Sequence, residues 1–119
     1  MSEHPSVDWN DSKELWSLSR EVVLTANSYR KSRNDFASAK KTLDLMLAMR
    51  YKNKLIPRKV SYEKALIFLI EEGDKTITDL YETMTQEEAN YKGLEKLLEA
   101  KQSQLSLAQS LIKNQIRNS

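Results

Sequence analysis

A chain of 119 residues with 39% hydrophobic and 30% charged side chains, 2 Gly and 2 Pro fits one domain made of a few helices, because the punctuation of a loop-rich fold is missing. The lack of Cys excludes disulfides and thiol catalysis and fits a reducing cytoplasm, and the longest apolar run, Ala65 to Ile70, falls far short of the roughly twenty residues that cross a bilayer. A net charge of +2 hides strong segregation: residues 1–29 hold two basic and five acidic groups, residues 30–64 eleven and three, residues 65–101 four and nine, and residues 102–119 two and none.

Residues 1–11 carry acids and one Pro without the basic start or apolar block of a secretory signal, so a frayed tail is expected there, with residues 12–119 as a single domain. Asp11 or Ser12 suits the cap of a first helix, since either side chain can accept from the open N–H groups of the first turn, and Asp11 with Glu14 has capping-box spacing. Leu15, Leu18, Val22, Thr25, Tyr29, Ser32, Phe36, Ala39, Leu43, Met46 and Arg50 then follow alternating three- and four-residue steps, eight of the eleven being apolar. That seam predicts helix to about Tyr51, ended by Asn53 and by Ile56-Pro57, where the proline pushes its predecessor out of helical geometry.

A short second helix is expected after Ser61, finishing near Glu72, with Gly73 supplying the left-handed residue that closes it. Its segment Ala65 to Ile70 is apolar on every side and has to be surrounded. Leu66, Ile67, Phe68, Leu69 and Ile70 are therefore assigned to a homo-oligomer interface, the alternative being that the loop around Leu55-Ile56 folds over them.

Asp74 or Thr76 opens a third helix to about Arg117, whose seam is Ile77, Leu80, Met84, Glu87, Tyr91, Leu94, Leu98, Lys101, Leu105, Ala108, Ile112 and Gln115, nine of twelve apolar. The two long helices, each about 60 Å at 1.5 Å per residue, are matched in length. Folding back on each other buries both seams, although the same heptads also suit a parallel or intermolecular coiled coil. The expected fold is all-α: a long antiparallel helical hairpin, packed as a coiled coil, with a short third helix at the connection. Trp16, Val23 and Leu97 lie off the seam, and Gly93, Ala100 and Leu107 form a second, lighter stripe.

Little here suggests catalysis. His4 is the one histidine and falls in the expected tail, so no multi-histidine metal site can be built. The acid pairs Glu71-Glu72 and Glu87-Glu88 are helix neighbours pointing about 100° apart, which suits solvated charge better than a shared cleft. Gly73 and Gly93 are too far apart to make a phosphate-cradling loop. No enzyme activity, metal or cofactor is expected.

The basic set is more informative: Arg30, Lys31, Arg33, Lys40, Lys41, Arg50, Lys52, Lys54, Arg58, Lys59 and Lys64, with Tyr51 and Tyr62 beside it. Such a surface attracts phosphate backbones by counterion release, and exposed phenols can stack on unpaired bases. The competing reading is that these cations pair with Glu71, Glu72, Asp74, Asp79 and Glu82 on the opposing arm, each exposed pair being worth about 0 to 1 kcal/mol.

Tyr29 through Leu47 with its Ala39-Lys40 step, a short helix opening at Ser61 with Glu63 and Ala65, and Tyr91-Lys92-Gly93-Leu94-Glu95 running into Leu107-Ala108-Gln109-Ser110 give a layout that resembles small helical proteins encoded by tailed bacteriophages. Some of those are accessory factors in DNA recombination. The resemblance implies a role similar to that of mediators that load a recombinase onto single strands, in the cytoplasm of a bacterial host. No diagnostic motif matches residue by residue, so no functional position is carried over. Two partners are thus expected: single-stranded nucleic acid gripped by the basic set, or an acidic protein held by an adaptor, chaperone, inhibitor or structural coiled coil. A membrane is not among them.

Overall fold

A computed structural model describes residues 9–57 and 60–117, with side chains from Lys13 onward. Three helices account for nearly all of them: α1 (Trp9–Lys52), α2 (Tyr62–Glu71) and α3 (Lys75–Arg117). No strand occurs among the described residues, and the long helices α1 and α3 pack against each other as a hairpin with α2 between them. α1 starts at Trp9, ahead of the expected cap at Asp11 or Ser12. The first four N–H groups of any helix lack partners inside it, so residue types that suit a cap are also tolerated within the first turn. Residues 1–8, which hold most of the expected tail, lie outside the described residues.

The connections are built from two Schellman motifs and two side-chain caps. At the end of α1, Lys54 has φ +61, and the N–H groups of Lys54 and Leu55 donate to the carbonyls of Tyr51 and Arg50 at 3.0 and 2.9 Å. That pattern satisfies the last carbonyls of the helix, with a lysine where glycine is usual. α2 is capped by Ser61, whose Oγ accepts from Lys64 N at 3.3 Å. It ends as expected at Gly73, φ +84, with Gly73 N and Asp74 N donating to Ile70 O and Leu69 O. Asp74, rather than Thr76, then caps α3, its Oδ1 accepting from Ile77 N at 3.2 Å.

The chain divides into two compact units, Lys31–Tyr91 and the pair Met1–Arg30 with Lys92–Ser119. The central unit holds the hydrophobic core. Leu43 of α1 and Ile77 of α3 are fully buried, and Leu47, Ile56, Ala65, Leu66 and Leu69 close around them. Met46, Phe68, Ile70, Leu80 and Met84 pack on its edges, and the rings of Phe36 and Tyr91 meet at 5.0 Å with a 46° tilt. This corrects the expectation that one hairpin leaves α2 uncovered. Leu66 and Leu69 are buried inside the chain itself, Phe68 and Ile70 are partly so, and Ile67 alone of the assigned interface set is open, at 54% exposure. The cause is the loop after α1, which drops Ile56 into the core; Leu55, next to it, stays exposed. Each fully covered aliphatic side chain of this kind stabilises the fold by about 1.5–3 kcal/mol.

The terminal unit is a leaner pair of helices. Leu15, Leu18 and Val22 of α1 and Leu98, Leu105 and Ile112 of α3 are all half-buried. Polar clamps supplement them: Lys101 Nζ lies 3.2 Å from Glu21 Oε2, and Tyr29 Oη donates to Glu95 Oε2 at 3.0 Å. Arg20 sits 5.9 Å over the Trp16 ring. In each unit the two long helices run antiparallel within one chain, which settles the choice left open by the heptads. Every expected seam position on both helices is buried or half-buried.

Candidate functional site

An α-helix turns about 100° per residue, so residues four, seven or eleven apart share a face. Arg33, Lys40, Asp44 and Tyr51 recur at steps of seven, four and seven and form one stripe along the solvent side of α1. Lys41 and Lys52, eleven apart, make the row beside it. Two open grooves of the central unit lie on this stripe. Arg33, Phe36, Lys40, Lys41 and Asp44 line the first. The second, of about 500 Å³, runs from Lys40 and Asp44 to Tyr51 and is closed on its far side by Ser61 and Tyr62 at the start of α2. Its floor is apolar, formed by Leu47, Ala48, Ile56, Val60 and Ala65.

Tyr62 reaches this groove because it stands at the first position of α2, on the face that carries Ala65, Leu66 and Leu69 into the core. Its phenol lies beside the Asp44 carboxylate in the lining of the groove. Burial first, then the neighbouring Asp44 carboxylate as acceptor and as charge, push the Tyr62 phenol up from 10.0 to about 12. It is therefore neutral, and a donor, throughout the physiological range. Tyr62 as a whole residue remains 45% exposed and Tyr51 54%, so neither is enclosed.

The expected basic set is only partly gathered here. Lys40, Lys41 and Lys52 share the outer face of α1 with Tyr51, and Lys54 follows at its end. Lys31 sits half a turn around α1 from Lys40, and Lys64 points to the opposite side of α2 from Tyr62. Arg30 belongs to the terminal unit, where it donates to Asn27 Oδ1 at 3.4 Å. Arg58 and Lys59 lie outside the described residues.

Arg50 is a correction. It occupies the seam, not the surface, and its Nε donates to Asp74 Oδ2 at 2.8 Å. The hydrogen bond to Arg50 holds the Asp74 carboxyl below its ordinary value and the same bond raises the Arg50 guanidinium. Arg50 is thus a structural cation that ties the end of α1 to the start of α3. Among the described residues, Asp74 is the one member of the five facing acids that takes a cation of the basic set; Lys31, Lys40, Lys41, Lys52, Lys54 and Lys64 have no carboxylate partner there.

Sequence reasoning missed Asp44. Its position four after Lys40 and seven before Tyr51 places it on their stripe, a signal that was present in the spacing. Among the described residues no cluster of His, Cys, Asp or Glu could hold a metal ion, and no helix is long and apolar enough to cross a membrane. The arrangement is suited to holding a flat ring on an apolar and phenolic floor while cations meet an attached anion. No protein-family model, no curated protein and no solved structure matches this chain.

Proposed function

We propose that this protein is a non-enzymatic nucleic-acid-binding protein that engages single strands, with a recombination-accessory, mediator-like role. The observation that carries the reading is the row Lys40, Lys41 and Lys52, exposed and without carboxylate partners among the described residues, beside the exposed phenols of Tyr51 and Tyr62. Lysines in such a row gain from counterion release on meeting a phosphate backbone, and each base stacked on an aromatic ring adds about 1–3 kcal/mol. Unpaired bases are accessible for stacking and duplex bases are not, which favours single strands. The mediator role and a bacterial cytoplasmic setting rest on the resemblance to phage helical proteins.

Fluorescence anisotropy with a labelled single strand and its duplex tests this reading. The wild-type chain should bind the single strand more tightly, and the triple variant Lys40→Glu, Lys41→Glu, Lys52→Glu should lose binding while keeping its helical circular dichroism. Unchanged affinity in that variant removes the reading.

A second reading, an adaptor for a protein partner, is favoured by the exposed apolar side chains Leu97, Leu107 and Leu111 of α3 and Ile67 of α2. These are among the exposed apolar side chains open to self-association once Leu66 and Leu69 are covered within the chain. Light scattering on a sizing column measures it: an assembly that dissociates on Leu107→Asp supports self-association, and a monomer at all concentrations removes it. For an acidic protein partner, a complex that survives nuclease treatment and is lost on Ile67→Asp is the expected result.

A further inference from the structure

The second groove of the central unit has a feature that a plain phosphate site would avoid. Asp44, a carboxylate, lines the groove together with Lys40, Tyr62 and the apolar floor. A bare phosphate placed there meets like charge at close range, and cations alone would serve it better. A carboxylate has two oxygens and about four acceptor positions, so even with the Tyr62 phenol beside it most of its capacity is open. The groove's volume of about 500 Å³ falls in the roughly 300–1,000 Å³ range of small-ligand sites, with mainly apolar walls and a few placed polar groups.

A ligand for this site needs a flat body for the phenols and the apolar floor, donors for Asp44, and an anion for Lys40. A nucleotide base with its phosphate supplies all three. Among the bases, guanine presents two adjacent donors, N1–H and the N2 amino group, and such a pair meets a carboxylate in the bidentate manner of a guanidinium. Cytosine and adenine offer one amino group each beside acceptors. Thymine offers a single N–H flanked by two carbonyl oxygens, which a carboxylate repels.

Building on the single-strand reading above, we propose that the groove bounded by Lys40, Asp44, Tyr51 and Tyr62 is a base-reading subsite that selects an unpaired guanine, with Asp44 as the acceptor of its Watson–Crick edge. The site adds base preference to a surface that otherwise grips any strand. Asp44 selects and Lys40 anchors.

The test compares labelled oligothymidylate with the same strand carrying guanine, cytosine or adenine at its central positions, using the full chain at low salt. Guanine strands should bind on the order of tenfold more tightly than oligothymidylate, corresponding to one good bidentate contact. Asp44→Asn should abolish that preference, so that guanine strands and oligothymidylate bind the variant alike. Asp44 lies on the exposed face of α1, so the variant is expected to fold, and its circular dichroism checks this. Equal affinity for all strands overturns the base-reading subsite and leaves the single-strand reading standing. A guanine preference that persists in Asp44→Asn overturns the role of Asp44. Absence of binding to any strand overturns the underlying reading, and the subsite with it.

Discussion

Lys54 shows how one backbone angle can matter more than a side chain's charge. Its φ of +61 places an L-residue in the left-handed region, where Cβ crowds the following carbonyl at a cost of roughly 1 kcal/mol. Lys54→Gly should therefore raise stability by about 0.5–1 kcal/mol in urea unfolding, the gain being trimmed by glycine's greater unfolded freedom. Tyr62 gives a second residue-level test. Its phenol holds a proton more tightly in the folded chain, about 12 against 10.0, so the stability it contributes is complete below pH 10 and is lost as pH rises from 10 to 12. Alkaline unfolding followed by circular dichroism should show this loss in the wild type and a smaller one in Tyr62→Phe. Lys54's backbone role was hidden in the sequence because the left-handed position after a helix usually carries Gly or Asn, and Asn53 stood beside it as the more familiar candidate. Arg50 was partly legible: its place on the seam already argued for burial, and only its count among the cations suggested a surface role.

At the level of the element, the long helices follow directly from their sequence period. Seam residues are covered along both, from Leu15 to Arg50 and from Ile77 to Gln115, because a sustained three-and-four repeat puts every member on one face of its helix, and that face is the one a partner helix covers. Helix α2 was different. Its boundaries were readable from Ser61 and Gly73, since caps act locally, but its burial depends on Ile56 arriving from a loop. No local pattern announces that contact, and an apolar helix reads the same whether it is covered by its own chain or by another. Gly93 offers the element-scale prediction. It is exposed in the middle of α3, and a Cβ there meets nothing within 4 Å. Gly93→Ala should stabilise the protein by about 1 kcal/mol in urea unfolding, through helix propensity alone. An unchanged or lower stability would mean that this position is engaged by a partner molecule in solution.

Across the whole molecule, charge is distributed so that the most basic stretch, residues 30–64, falls largely in the unit that also owns the hydrophobic core. A rigid core beneath a charged surface fixes the spacing of Lys40, Lys41 and Lys52 and keeps Tyr51 and Tyr62 in the lining of one groove. The fold class and the cationic segment were readable from composition and period. Which cations share a face required the register of α1 and the docking of α2, and this reduced a broad basic set to a smaller group. The central claim is that this group grips a phosphate backbone. Titrating a labelled single-stranded oligonucleotide with the protein over a series of salt concentrations measures it most directly. Binding at low ionic strength, with the logarithm of the affinity falling linearly against the logarithm of salt at a slope of about −2 for three contacted phosphates, is the expected result. Absence of binding at low ionic strength, or an affinity indifferent to salt, would contradict it.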